Sequence, residues 1–255
     1  MPRPDNLPHM NHALHHANER VRAGLDQVAD KVADTVAEVK PKLRGWLHAG
    51  STPVILAAGI VLICLSPTVT TRIGSALYAF TALLLFGTSA VYHRGTWSPK
   101  TWRFLNRFDH ANIFLLIAGS YTPFSIILLD GTAQVLLLSV VWTAAVLGIA
   151  FKVFWPNAPR WLSAPIYIAM GWAAIFFIPA FYDGALALGL GIGIAVFVLI
   201  AVGGALYTVG GLVYGFQWPD PSPRWIGFHE VFHTFTIIAF AAHYVGVSLA
   251  TYSLR

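Results

Sequence analysis

Charge is scarce in this chain. Only 11% of its 255 residues are Asp, Glu, Lys or Arg, and 56% are hydrophobic. A soluble domain carries about 25% charged residues. With so few, the apolar surface cannot be covered by polar groups, and a soluble globular fold is excluded in favour of an integral membrane protein. Cysteine is almost absent. Cys64 is the only one and lies in an apolar run, so no intrachain disulfide forms. A short apolar core near Met1 is also missing and the first 45 residues are polar, so a cleaved leader is not expected. Acids are sparse in the apolar part of the chain. From residue 50 onward only Asp109, Asp130, Asp183, Asp220 and Glu230 occur. The net charge of +5 could suggest nucleic acid, but Lys and Arg stand in short connections between apolar runs. That placement reports membrane orientation, and nucleic acid is not an expected partner.

What the chain does have is seven apolar runs, at about 51–69, 72–93, 109–129, 132–152, 161–181, 185–214 and 228–250. A helical span needs about 20 residues. The expected fold is all-α, a polytopic seven-transmembrane helix bundle over residues 45–255, with residues 1–44 as a cytoplasmic N-terminal segment. The sixth run exceeds the required length and is expected to tilt or project. Fourteen of the sixteen Lys and Arg fall on the side of the N-terminus; Arg72 and Arg255 are the exceptions. This bias predicts N-terminus inside, C-terminus outside, and a multi-pass protein of the cell membrane. Trp46, Trp97, Trp102, Trp155, Trp161, Trp218 and Trp225 all fall near the inner ends, where an indole N–H reaches the headgroup layer. Residues 24–40 place Leu25, Val28, Val32, Val36 and Val39 on one helical face and acids on another, which predicts a cytoplasmic amphipathic helix.

The buried polar groups carry the functional signal. Asp130, Asp183 and Asp220 read as turn residues. Asp109 and Glu230 lie at the inner ends of apolar runs, where ionisable groups are costly and face the bundle interior. Topology puts His93 (end of run 2), Asp109 (start of run 3), His229 and His233 (start of run 7) in one layer. His229 and His233 are one turn apart and share a helical face. With His93 they form a three-imidazole set that suits zinc and leaves a fourth position for water. Asp109 is placed to bond that water or orient a ligand. Ser89 precedes His93 by one turn and points the same way. His110 is expected at the interface, turned about 100° from Asp109. His243, ten residues beyond His233, is a core or pathway histidine. The run "HEVFH" also matches HExxH with Glu230 as general base, though no third ligand follows downstream.

"SAVYH" at 89–93, "FDHANIFLLIAGSYTPF" at 108–124 and "GFHEVFH" at 227–233 resemble the bacterial hemolysin III proteins. Those are grouped with the progestin and adiponectin receptors and, more distantly, with the alkaline ceramidases. The resemblance covers about residues 45–252. It implies a seven-helix bundle with an intramembrane zinc near the cytoplasmic side. It also implies His93, His229 and His233 as ligands, with Ser89 and Asp109 as accompanying polar residues. Adiponectin receptors carry Gln where Glu230 stands, which favours Asp109 for proton handling. Three functions are compatible with these residues. The first is a zinc-dependent hydrolase acting on an amide or ester bond of a membrane lipid or lipid-like substrate, with Asp109 and Ser89 in catalysis. The second is a receptor-like or regulatory protein with structural zinc. The third is a cytolysin or ion-conducting protein.

Overall fold

Seven helical spans follow one another in the computed structural model, which describes residues 41–255 except Pro223, together with Glu19 and Val21. The amphipathic segment expected at 24–40 lies outside the described residues. The spans are α1 (Trp46–Leu65), α2 (Val69–Arg94), α3 (Pro99–Leu128), α4 (Gly131–Phe154), a composite fifth span, α7 (Leu190–Phe216) and α8 (Phe228–Tyr252). The fifth consists of α5 (Arg160–Gly171), a 3₁₀ segment (Trp172–Phe177) and α6 (Ile178–Ala187). All seven are long and apolar enough to cross a membrane. Among the described residues the extended structure is one isolated bridge, Ser222 to Ile226.

Local chemistry sets the helix ends. Thr68 caps α2 and exchanges hydrogen bonds with Thr71. Ser98 caps α3 with Pro99 in the first turn, so this helix starts ten residues before its apolar run at 109. The break in the fifth span was not expected. Pro179 has no N–H for the carbonyl of Ile175, so the preceding turns tighten into 3₁₀ geometry. Backbone groups loosened there are taken up by Tyr121 of α3. Its hydroxyl accepts from the Ala174 N–H at 2.9 Å and donates to the Gly171 carbonyl. Satisfaction by a neighbouring helix is what permits irregular backbone at membrane depth. The sixth run divides differently from the sequence pattern. Residues 185–187 finish the fifth span, and Gly189, at φ 96°, turns the chain into α7.

Sequential helices pack against one another, and α8 closes the bundle against α1, α3 and α7. In α3, 72% of the most apolar stretch is buried, against 17% in α7, so α3 runs through the middle and α7 lies at the rim. The seven tryptophans noted at the Lys- and Arg-rich end are all outward-facing or half-buried, as a headgroup belt requires. Arg94 stacks over Trp46 at 3.3 Å, and Lys42 over Trp225 at 4.5 Å. This basic end also holds the buried polar layer.

Candidate metal centre

The start of α8 is fixed before its histidines are placed. Two carboxylates satisfy its free N–H groups. Asp220 Oδ1 accepts from Phe228 N at 3.0 Å, and Glu230 Oε2 accepts from Gly227 N at 2.8 Å. Asp220 is therefore a helix cap rather than an ordinary turn residue. The other Glu230 oxygen pairs with Arg44, and the Glu230 side chain is fully buried. The turn that carries Arg44 is held further by Lys42 N to Arg224 O (3.0 Å) and Leu43 N to Trp225 O (3.2 Å). Both Glu230 oxygens are thus engaged in structure, and the HExxH reading of Glu230 as general base does not describe this site.

His229 and His233, one turn apart, then project into the bundle beside His93 from the last turn of α2. One ring nitrogen from each lies within 4.8 Å of the others. His93 Nε2 and His229 Nε2 are 3.1 Å apart. A tetrahedral centre with 2.0–2.1 Å bonds has nitrogens about 3.3 Å apart. His233 Nδ1 is buried with no hydrogen-bond partner. Three imidazoles at this spacing can hold one metal ion. Asp109 Oδ2 is 3.7 Å from His93 Nε2, and Ser89 stands beside the Asp109 carboxylate. All five residues singled out in the sequence therefore meet at one place.

The α2–α3 register that brings them together has its own ties. Asn112 Nδ2 donates to Leu84 O (3.0 Å) and Thr88 Oγ1 (3.1 Å), and Asn106 Nδ2 donates to Tyr92 Oη at 2.7 Å. Gly45, at φ 79°, lies so close that a Cβ there would stand 2.8 Å from the His93 Cβ.

Two histidines sit differently from expectation. His110 lines the interior instead of the interface. Its Nδ1–H donates to Asn106 O at 2.7 Å, and Tyr214 Oη donates to its Nε2 at 3.2 Å. His48 was missed altogether. It is 1% exposed and stacks on His233 with ring centroids 3.8 Å apart and planes 12° from parallel. Neither of its nitrogens has a hydrogen-bond partner. The signal was its position, three residues before the first apolar run and level with His93.

Above the cluster opens a cavity of about 580 Å³. Ser89, Asp109, His229 and His233 line one end, and His243 lines it ten residues further along α8. Between them the walls are apolar, with Leu85, Ile113, Ile117 and Phe124 among them. On the side between the fifth span and α7 the wall is thin. Trp172, Ile175 and Val209 line it while remaining exposed, and Trp172 Nε1 donates to Thr208 Oγ1 across the gap at 3.0 Å.

Comparison with known proteins agrees with this architecture. A family model described as "Haemolysin-III related" matches residues 36–244. A "Hemolysin-3 homolog" of Bacillus subtilis is 34% identical over 65% of this chain and 71% of its own length. "Hemolysin-3" of Bacillus cereus is 34% identical over 63% of this chain and 64% of its own. An "Adiponectin receptor protein" of Drosophila melanogaster is 28% identical over 66% of this chain but only 40% of its own length.

Proposed function

The chain belongs to the haemolysin-III related family, and from that premise we propose that it is a zinc-dependent hydrolase of an amide or ester bond in a membrane lipid. The observation that carries this reading is the junction of two features. The three-imidazole cluster and Asp109 meet at one end of a large apolar cavity, which Asp109, His229 and His233 line there. A purely structural metal would not need that space.

When held by His93, His229 and His233, zinc supplies the Lewis acidity that brings deprotonation of a water into the neutral pH range. The chain's own groups handle the rest. Asp109 takes the proton of the attacking water as its oxygen joins the carbonyl carbon. It returns that proton to the nitrogen or oxygen of the leaving group as the old bond breaks. Ser89, beside Asp109, orients the scissile carbonyl. The apolar walls take the acyl chain and exclude bulk water. We place the basic end at the cytoplasmic face, so the headgroup lies among Arg and Lys side chains there. The lipid reaches the cavity through the thin wall at Trp172 and Thr208.

The test is hydrolysis of fluorogenic long-chain amides and esters by the zinc-loaded protein in nanodiscs. Asp109→Asn should lower turnover about 10²–10⁴-fold with zinc retained. No turnover by the parent above protein-free discs overturns the reading. A receptor-like protein with structural zinc is the second reading, and the similarity to the Drosophila adiponectin receptor protein favours it. Loss of zinc in Asp109→Asn would support it by making Asp109 a ligand. The cytolytic or ion-conducting reading rests on the names of the Bacillus relatives alone.

A further inference from the structure

The end of the cavity remote from the three histidines is not wholly apolar. His243 reaches it from α8, only 8% exposed. Its Nε2–H donates to the Ile200 carbonyl at 3.2 Å. Nδ1 is then the lone-pair acceptor of a neutral imidazole. That atom is buried and has no hydrogen-bond partner. Tyr207 lines the cavity from α7, with its ring centroid 5.5 Å from that of His243, and its hydroxyl is likewise buried and unpartnered. The helices are shaped to seat the imidazole. A Cβ on Gly203 would overlap its ring, so α7 has no side chain where His243 enters. Phe124 packs edge-on against the same ring at 5.6 Å.

Two orphaned polar atoms on adjoining rings in apolar surroundings are costly for packing alone. A Phe at either place would fill similar space without that cost. The pair has a definite chemical complement. Nδ1 needs a donor, and the Tyr207 O–H needs an acceptor. One hydroxyl group meets both needs. A ketone or ether accepts only and would leave Nδ1 unpaired.

We propose that Tyr207 and His243 form a hydroxyl-binding subsite, and that the protein takes a long-chain amphiphile carrying a hydroxyl far from its head. The ten residues from His233 to His243 rise about 15 Å along α8. The carbonyl at the root of the acyl chain lies at His93, His229 and His233, and the hydroxyl sits about that far along the chain. This assignment rests on the cavity being a lipid-chain site, as proposed above, but it does not depend on hydrolysis.

The experiment is therefore equilibrium binding, with no turnover. The full-length, zinc-loaded protein in nanodiscs is titrated with lauric acid and with omega-hydroxylauric acid, whose extended chain spans about the required separation. The parent should bind the hydroxy acid at least as tightly as the plain acid. Tyr207→Phe and His243→Phe should each weaken the hydroxy acid about tenfold and change the plain acid less than about twofold. Tyr207→Phe removes only an oxygen and carries the test if His243→Phe fails to fold. The subsite is overturned if the parent binds the hydroxy acid about tenfold or more weaker than the plain acid. It is also overturned if both folded variants weaken the two acids equally. Binding of the plain acid alone leaves the lipid cavity standing. Binding of neither acid removes the subsite and the lipid cavity together.

Discussion

Replacing Arg44 should unsettle the molecule more than replacing its partner Glu230, although the two form one ion pair. Glu230 is 0% exposed and Arg44 21% exposed. Arg44→Met strands a buried carboxylate whose remaining partner is the Gly227 N–H. Breaking a buried pair from this side costs about 3–5 kcal/mol. At about 2–4 °C per kcal/mol for a chain of this size, Tm should fall by about 6–20 °C. Glu230→Gln keeps an acceptor for Gly227 N, and the part-exposed Arg44 can turn toward headgroup water. Its cost should stay near 1–2 kcal/mol. The double variant Arg44→Met, Glu230→Leu removes both charges and should recover most of the loss. The assay is thermal unfolding in nanodiscs by tryptophan fluorescence at one fixed scan rate, because membrane proteins often unfold irreversibly. Zinc content is measured on the same samples. Two results would refute the reasoning. One is Arg44→Met melting within about 2 °C of the parent. The other is Glu230→Gln keeping Tm and zinc while losing turnover, as a general base would.

Three further outcomes follow from the packing and the charge pattern. Gly184→Ala should destabilise by about 1–3 kcal/mol, despite the better helix propensity of Ala, because its Cβ would overlap the Leu128 carbonyl; an unchanged Tm would show that α3 and α6 sit further apart. Tyr121→Phe frees the Ala174 N–H and the Gly171 carbonyl. It should cost about 1–3 kcal/mol and speed hydrogen exchange across 171–177, with no change expected in zinc content. Cys64→Ser with Ser253→Cys should react with an impermeant maleimide on intact cells; labelling only after permeabilisation would invert the orientation.

Much of the fold could be read from the sequence because lipid imposes a simple rule. Backbone groups must be satisfied within each span, so apolar length alone locates helices. The errors arise where side chains, rather than hydropathy, decide. The early start of α3 depends on Ser98 and Pro99. The break in the fifth span depends on Pro179 and on a hydroxyl from Tyr121, a contact between residues 53 positions apart. At the site, chain direction alone brought His93, Asp109, His229 and His233 to one depth, and the structure brings them into one cluster. Depth says nothing about rotation. The sequence could not show that Glu230 turns to Arg44, that His110 turns inward, or that His48 stacks on His233.

The most direct test is the metal content of the purified protein beside His93→Ala, His229→Ala and His233→Ala, each shown to be folded by its melting transition. The parent should hold about one zinc per chain, and each variant should lose most of it, because two imidazoles cannot replace three at a tetrahedral centre. Full zinc in all three folded variants would contradict the account at its root.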